Sequence, residues 1–422
     1  MGSNDHADAL GRALGRQTGG TLLSAGLSSG TNFAVVVLAS ALLDARSFGI
    51  FSLILMLALF GSTVVNSFTG QVCLTYTEEA EAGSVSRDKV LASSAFMSWI
   101  MGFVGLLVGG VGLLITDDPH LWLFVGIGLL IAVPAATIHS VVRYVAFAQR
   151  RAIEAVWLDL IWLTATAIGI VLLVLIGEEV GHVWLIIVWA LGAIIAVVVR
   201  ERSFPVPSLG RTRSWFVRHR RFGSSLAYNS GANIAAQRTV ALVVAGFIGL
   251  AEVGGLRLAE TIFGVCTVFF SAARARAIPA LSPSNVAGGV RRQWIRRISL
   301  GLVLVPSGLY IALVTSQRVL GAFIDDETWK LTQPILLPVA LTAIASALIQ
   351  GPLIGLRIAS AARKIVYART LQSLAILVGG IVGVVTGDVV GAAWGLAFGN
   401  ACGAGMWWIA YYRSPDRDVQ TN

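Results

Sequence analysis

Charged residues are scarce in this sequence. Of its 422 residues only 13% are charged, whereas 56% are hydrophobic, and the mean hydropathy is +0.79. An average soluble domain carries about 25% charged residues, so this chain cannot build a soluble surface of the usual kind. The composition therefore excludes an ordinary soluble protein and a disordered one, and it predicts a chain that crosses a membrane many times.

Residues that commonly carry catalysis or bind metals are also few. The three cysteines, Cys73, Cys266 and Cys402, lie inside apolar runs and form no C-x-x-C pair, which excludes a disulfide scaffold and favours core packing. None of the three lysines follows a glycine, so there is no P-loop, and the sequence has neither an H-E-x-x-H nor a G-x-S-x-G motif. We therefore expect no enzyme activity, no metal and no cofactor.

Long apolar runs fill most of the chain. A bilayer span needs about 20 mostly apolar residues, and the sequence contains twelve such runs. The predicted spans are 18–42, 50–75, 90–115, 120–147, 155–176, 182–199, 223–248, 255–275, 298–317, 331–356, 366–386 and 389–412.

The basic residues lie mostly on one side of these spans. With a cytoplasmic N-terminus, 25 of the 31 lysine and arginine residues fall on the inner side and four on the outer side, while Arg143 and Arg238 lie within spans. This bias follows the positive-inside rule, so we expect a multi-pass protein of the cytoplasmic (inner) membrane with both termini cytoplasmic. Because no basic domain lies outside the membrane, the net charge of +9 indicates contact with membrane lipids rather than nucleic acid.

The halves of the chain resemble each other. A shift of 205 residues places Ser24-x-Gly26-x-Ser28 on Asn229-x-Gly231-x-Asn233. We predict an all-α fold of about twelve transmembrane helices in two six-helix bundles related by a parallel internal repeat, with chance similarity between apolar spans as the alternative. The predicted parts are a cytoplasmic N-terminal tail (1–17), an N-terminal bundle (18–199), a basic cytoplasmic linker (200–222), a C-terminal bundle (223–412) and a cytoplasmic C-terminal tail (413–422).

Glycine recurs every four residues near the C-terminus. The positions are 379, 383, 387, 391, 395, 399 and 403. Small residues at this spacing let two helices approach closely. We interpret the pattern as packing between the last two spans, with a homodimer interface as the alternative.

Arg238 is predicted to lie deep in span 7, about ten residues or roughly 15 Å from its outer end. A charge at mid-bilayer costs about 2.5–3.5 kcal/mol on insertion scales, so Arg238 needs a partner or a wet cavity. One hypothesis is a phosphate ligand, because the planar guanidinium can bind two phosphate oxygens at once. The other is a structural ion pair with Glu260. Asn229, Asn233 and Gln237 share the polar sector of the helix with Arg238.

Other ionisable residues lie in or beside the spans. Arg257 and Glu260 are three residues apart and are expected to pair on one helix face. Arg143 lies near the inner end of span 4, where its side chain can reach lipid headgroups or contact a substrate. Asp159 and Glu260 are the candidate ion or proton couplers, and local salt bridges or hydrogen bonds are the alternative interpretation.

Six segments spread along the chain carry a resemblance to known proteins. They are 42–52 (LLDARSFGIFS), 221–223 (RFG), 237–238 (QR), 247–254 (FIGLAEVG), 277–281 (AIPAL) and 391–397 (GAAWGLA). Together they cover almost the whole chain and resemble the polysaccharide transporter or O-antigen-type flippase family of the multidrug/oligosaccharidyl-lipid/polysaccharide exporter superfamily.

The resemblance implies a V-shaped pair of bundles around a central cationic cavity. It also implies transport of an undecaprenyl-pyrophosphate-linked oligosaccharide from the inner to the outer leaflet. On this hypothesis Arg238, Arg257 and Arg143 bind the pyrophosphate, and the three amide side chains of span 7 face sugar hydroxyls. The family commonly has an acidic residue before the arginine of span 7, and here Gln237 replaces it.

Two other functions are compatible with the sequence. One is an ion-coupled multidrug antiporter of the same superfamily, although carboxylates are sparse in these spans. The other is a non-transporting membrane scaffold of a glycan assembly complex. Glycosyltransferases or a polymerase of a polysaccharide assembly system are the protein partners that the flippase and scaffold hypotheses imply.

Overall fold

The computed structural model describes the backbone of residues 3–75, 84–115, 119–176, 181–201, 205–281, 288–359 and 361–414. Within these ranges the chain is almost entirely α-helical and contains no β-strand, which confirms the predicted all-α class. Several basic side chains used in the prediction of orientation lie outside the described residues: Arg12, Arg16, Arg202, Arg318 and Arg417.

The described part of the first 247 residues contains eight helices. They are α1 (Ser3–Leu42), α2 (Ala45–Phe68), α3 (Gly70–Thr75), α4 (Ser84–Ile115), α5 (Pro119–Ala148), α6 (Ala152–Ile176), α7 (His182–Arg200) and α8 (Leu209–Phe247).

Among the described residues that follow α8 there are seven further helices. They are α9 (Leu250–Gly264), α10 (Cys266–Leu281), α11 (Gly288–Thr315), α12 (Gln317–Gly321), α13 (Asp326–Thr332), α14 (Leu336–Ile358) and α15 (Ala362–Tyr412), with a 3₁₀ turn at Gln333–Ile335 before α14.

The observed helices agree roughly with the twelve predicted spans. In the part of the chain that is described, nine helical segments are long and apolar enough to cross a membrane, and the bent pair α9–α10 makes a tenth. One of the nine is α15, which is two helices joined at a break at Gly387 and Asp388. The long helix α8 is not among these segments, because its charged and amide residues make it less apolar. The protein is therefore a multi-pass helical membrane protein.

The backbone forms two compact units. The first comprises Met1–Val35 and Ile50–Gly231, and the second comprises Val36–Gly49 and Ala232–Asn422. In the first unit the core includes Phe51, Ile54 and Trp189, all fully buried. In the second unit Ile295, Ile354 and Trp407 are fully buried in one apolar cluster. The domain ranges deduced from the repeat stay a prediction.

Helix α8 begins within the predicted basic linker. Its first residue, Leu209, precedes the predicted start of span 7 by almost four turns. Trp215, which lies in this extension, is buried, and its indole Nε1 donates a 2.8 Å hydrogen bond to the carbonyl of Phe68. Packing of this kind stabilises a helix whose exposed face is basic, and sequence hydropathy does not detect it.

The turn between α1 and α2 is fixed by a capping carboxylate. Asp44 Oδ1 accepts a 3.0 Å hydrogen bond from the backbone N–H of Ser47, which satisfies a free donor of the first turn of α2. Partial burial by itself raises the pKa of Asp44, but hydrogen bonds from Ser47 and Arg46 outweigh it and lower that pKa from its ordinary value. Gly49 packs so closely on the backbone of Leu250 that a Cβ atom would collide with the carbonyl oxygen.

The glycine pattern packs the two arms of α15 against each other. Gly379 faces the backbone of Gly395, and Gly383 faces the backbone of Gly391, so that a Cβ at any of these positions would meet a carbonyl oxygen. The packing interpretation is thus confirmed. The break between the arms at Gly387 and Asp388 also matches the predicted gap between the last two spans.

We predict that Gly395→Ala destabilises the protein by about 1–3 kcal/mol, because the added methyl group forces the two backbones apart. The measurement is thermal unfolding of the purified protein in detergent.

Gly405→Ala is the matched control for this substitution. Nothing lies within 4 Å of a Cβ at Gly405, so this change should leave stability unaltered or slightly raised through helix propensity. Equal stability of the two variants would contradict the close backbone contact.

Candidate functional site

Two arginines share one carboxylate in the second unit. Arg238 of α8 places its Nη1 2.7 Å from Oε2 of Glu260 in α9. Arg257, three residues before Glu260, places its own Nη1 3.8 Å from the same oxygen. The side chains of Arg238 and Arg257 are only 15% and 10% exposed. Both pairs are those expected from the sequence, and the cluster keeps one net positive charge.

Amide groups lie on the same helix as Arg238. Asn233 has a buried Oδ1 that accepts no hydrogen bond from the described residues, and Gln237 is half-buried. Further toward the N-terminus of α8, in the part that belongs to the first unit, Asn229 also has a buried Oδ1 without a hydrogen bond. Such atoms carry a desolvation cost, which hydroxyl donors of a ligand would relieve.

A second carboxylate is buried in the first unit. Asp159 of α6 is fully buried, and its Oδ2 accepts a short hydrogen bond from Ser24 Oγ of α1. Its Oδ1 lies 3.6 Å from Arg143 Nη1 and 3.6 Å from His139 Nε2, both on α5. Neither Asp159 Oδ1 nor His139 Nε2 has a hydrogen-bond partner among the described residues. A proton between these two atoms would satisfy both.

Aromatic side chains hold the histidine in this position. The His139 ring lies 4.5 Å from the ring of Trp162, centroid to centroid. Trp162 Nε1 donates a 3.1 Å hydrogen bond to the carbonyl of Trp189, whose own Nε1 donates to Asn32 Oδ1 at 3.2 Å. The carboxylate–histidine pair is therefore held by a polar, hydrogen-bonded core.

The structure brings some of the predicted site residues together and places other residues beside them. Arg143 and Asp159, predicted for different roles, lie together in one cluster. Sequence reasoning missed Ser24 and His139 as partners of Asp159. Ser24 carried a signal, since it belongs to the repeated polar motif of the first span, whereas nothing in the local sequence distinguished His139 from the other histidines.

Comparison with known proteins shows the fold. No protein-family model matches the sequence, and no curated protein matches it. Solved structures do match: a eukaryotic MATE transporter (13% identity, TM-score 0.65, 96% of each chain covered) and the lipid II flippase MurJ in an inward closed conformation (13%, 0.64, 93% of this chain and 88% of that chain). An inward-facing multidrug resistance MATE transporter of the MOP superfamily also matches (12%, 0.62, 91% and 94%).

These similarities define a class rather than a particular protein. At such low identity the likeness shows a common fold, the helical membrane-transporter fold that MATE transporters and MurJ share. Both a drug transporter and a lipid flippase are built on it, so the fold does not decide what the chain carries.

We predict that Glu260→Gln lowers the stability of the protein by about 3 kcal/mol or more, because two buried guanidinium groups then lose the carboxylate that they share. Arg238→Gln should cost less, because Arg257 still neutralises Glu260. Both changes are measured by unfolding in detergent.

Glu252→Gln is the matched control for these variants. Glu252 lies on α9 as well but forms no ion pair with any described residue, so its replacement should cost less than about 1 kcal/mol. If Glu260→Gln and Arg238→Gln are equally destabilising, Arg257 does not share the carboxylate.

Proposed function

We propose that this chain is a membrane transporter that moves a phosphate-bearing lipid across the cytoplasmic membrane. The cargo is a polyprenyl-pyrophosphate-linked oligosaccharide used to build a cell-surface polysaccharide, and the protein works by alternating access. Both termini are cytoplasmic in this proposal, as the distribution of basic residues favours. The fold is compatible with the function, since a lipid II flippase shares it.

One observation carries the choice of an anionic cargo. In the second unit Arg238 and Arg257 compete for the single carboxylate of Glu260, and a net positive charge is left in a largely buried position. A bidentate phosphate ligand compensates such a charge well. The unsatisfied Oδ1 atoms of Asn229 and Asn233, together with Gln237, would then accept hydrogen bonds from sugar hydroxyls.

Arg143 has a different position in this scheme. It is paired with Asp159 in the first unit, so it can bind a pyrophosphate only when this pair opens. We therefore place Arg238 and Arg257 first among the substrate ligands and Arg143 second.

The multidrug antiporter is the second candidate function. Multidrug resistance transporters share the fold, and Asp159 is a buried carboxylate with one oxygen left without a hydrogen bond. An organic cation needs a carboxylate of this kind. However, Asp159 and Glu260 each already lie beside an arginine, which favours the anionic cargo.

The transport test uses liposomes that contain the purified protein. The probe is a synthetic polyprenyl pyrophosphate that carries a fluorescent sugar, and its transfer between leaflets is followed by a membrane-impermeant quencher. Arg238→Gln should slow the transfer at least about tenfold, the loss expected when about 1.4 kcal/mol of ligand binding is removed.

Arg220→Gln is the matched control, because Arg220 is an exposed arginine of the same helix. It should transport at the wild-type rate. Uptake of ethidium without lipid transfer by the wild-type protein would instead establish the antiporter, and absence of both activities would favour the scaffold.

We also propose that Asp159 couples transport to protons. The pair of atoms formed by Asp159 Oδ1 and His139 Nε2 can share one proton, and Arg143 and Ser24 are the other polar groups that face this carboxylate. Glu260 is a weaker candidate for proton coupling, because its carboxylate is already paired with two arginines.

We predict that Asp159→Asn makes lipid transfer insensitive to an imposed pH gradient, because asparagine cannot take up the proton. The measurement is the transfer rate in the same liposomes with and without the gradient. Glu154→Gln is the control, since Glu154 of the same helix is half-exposed beside Arg151 and Arg200. A gradient response that persists in Asp159→Asn would exclude this residue as the coupler.

A further inference from the structure

Three arginines of the second unit lie close to one another. Arg274 is in α10, Arg357 is the next-to-last residue of α14, and Arg369 is two turns inside α15. Leu356 and Ala368, the neighbours of Arg357 and Arg369, pack in the same buried apolar cluster as the C-terminal part of α10. The three positive charges are therefore near enough to act on one another, and like charges repel.

No carboxylate of the described residues forms an ion pair with any of these three arginines. Their observed partners are neutral. Arg274 donates a short hydrogen bond to Oε1 of Gln350 and a 2.9 Å hydrogen bond to Ser271 Oγ. Arg369 Nη1 donates to Gln372 Oε1 at 3.1 Å. The arginines of the two clusters described above differ in this respect, because each of them lies beside an aspartate or a glutamate.

The neutral partners are themselves fixed in place. Gln350 donates to the carbonyl of Ser346 at 2.8 Å and is buried. Gln372 is also buried: its Oε1 accepts from Trp407 Nε1 at 2.9 Å, and its Nε2 donates to Asn400 Oδ1 at 3.2 Å. The Arg369 guanidinium lies over the Trp407 ring, 5.1 Å from its centroid. Two of the three guanidinium groups are thus held by a rigid network of side chains.

The cluster retains free donor capacity and an open side. A guanidinium has five N–H donors, and the Nε of Arg369 is buried without a hydrogen-bond partner among the described residues. Arg357 forms no hydrogen bond or ion pair with them, and its side chain is exposed. A ligand could therefore reach the cluster from the side of Arg357 and accept hydrogen bonds there.

We propose that Arg274, Arg357 and Arg369 form a binding site for a multiply charged phosphate group. A phosphate monoester or a pyrophosphate supplies two or more negative charges and several acceptor oxygens, which match three guanidinium forks. A single carboxylate would leave most of the positive charge uncompensated. This site shares no residue with the Arg238–Glu260 cluster, and the proposal does not depend on the function proposed above.

The position of the cluster in the helices suits such a ligand. Helix α14 ends at Ile358 and α15 begins at Ala362, so Arg357 is at a helix end and Arg369 is about 10 Å from one. Arginine side chains this near the end of a membrane span can reach the level of the lipid headgroups. The phosphate group could belong to a lipid headgroup or to a free phosphate compound, and the two sources need separate experiments.

The first experiment measures the unfolding temperature of the full chain in an uncharged detergent while inorganic pyrophosphate is titrated. The wild-type protein should be stabilised in a saturable manner. In Arg357→Gln the half-saturating concentration should rise about tenfold or more, as expected for the loss of a charge-assisted contact. Without pyrophosphate this variant should unfold at the same or a higher temperature, because a repulsive charge has been removed.

Two more variants keep the test decisive. Arg363→Gln removes an exposed arginine from the first turn of α15 and should respond to pyrophosphate as the wild type does. Arg369→Lys keeps the positive charge but removes the planar guanidinium. Its response to pyrophosphate should therefore be weaker than that of the wild type if Arg369 binds two phosphate oxygens at once. Identical responses of Arg357→Gln and Arg363→Gln would overturn the proposal, as would a wild-type protein that does not respond.

The second experiment identifies the source of the phosphate. The protein is placed in nanodiscs of phosphatidylcholine with or without phosphatidic acid, whose headgroup is a phosphate monoester, and retained lipid is counted by native mass spectrometry. Retention of phosphatidic acid that is lost in Arg357→Gln but not in Arg363→Gln assigns the site to a lipid. Stabilisation by pyrophosphate without lipid retention assigns it to a free phosphate compound. The absence of both effects would refute the site.

Discussion

The scarcity of buried carboxylates limits what the buried arginines of this protein can do. A charge that leaves water needs a partner, because its desolvation costs several kcal/mol. In the second unit Glu260 must serve both Arg238 and Arg257, and in the first unit Asp159 serves Arg143 and also faces His139. Of the three arginines around Gln350 and Gln372, Arg274 and Arg369 have only neutral partners among the described residues, and Arg357 forms no hydrogen bond with them. Positive charge is consequently in excess within the second unit.

Much of the fold follows from sequence features that depend on a single helix. Apolar length predicts the spans, and the gap before Val389 predicts the break in α15, because a helix of 51 residues is too long for one crossing. The ion pair of Arg257 with Glu260 follows from their spacing on one helix. The pairing of Arg238 with Glu260 could be anticipated as one of two alternatives, since both charges lie in the outer halves of neighbouring predicted spans.

Contacts between distant segments could not be predicted in this way. Ser24, His139 and Asp159 come from three helices, and nothing local in the sequence indicates that they meet. The positive-inside rule counts Arg274, Arg357 and Arg369 as loop residues, although the structure places all three in helices. The rule records on which side of the membrane a charge lies and contains no information about its neighbours.

The backbone contacts of α15 have a mechanical consequence. At the glycine crossing points the two backbones touch directly, so the arms cannot slide past each other there without a clash. The hydrogen bonds among Gln372, Asn400 and Trp407 lock them together at the end away from the turn. The two arms of α15 should therefore move together as one rigid body, like a lever. A ligand that displaces Arg369 would act on this lever about 27 Å from its turn at Gly387, the length of 18 helical residues.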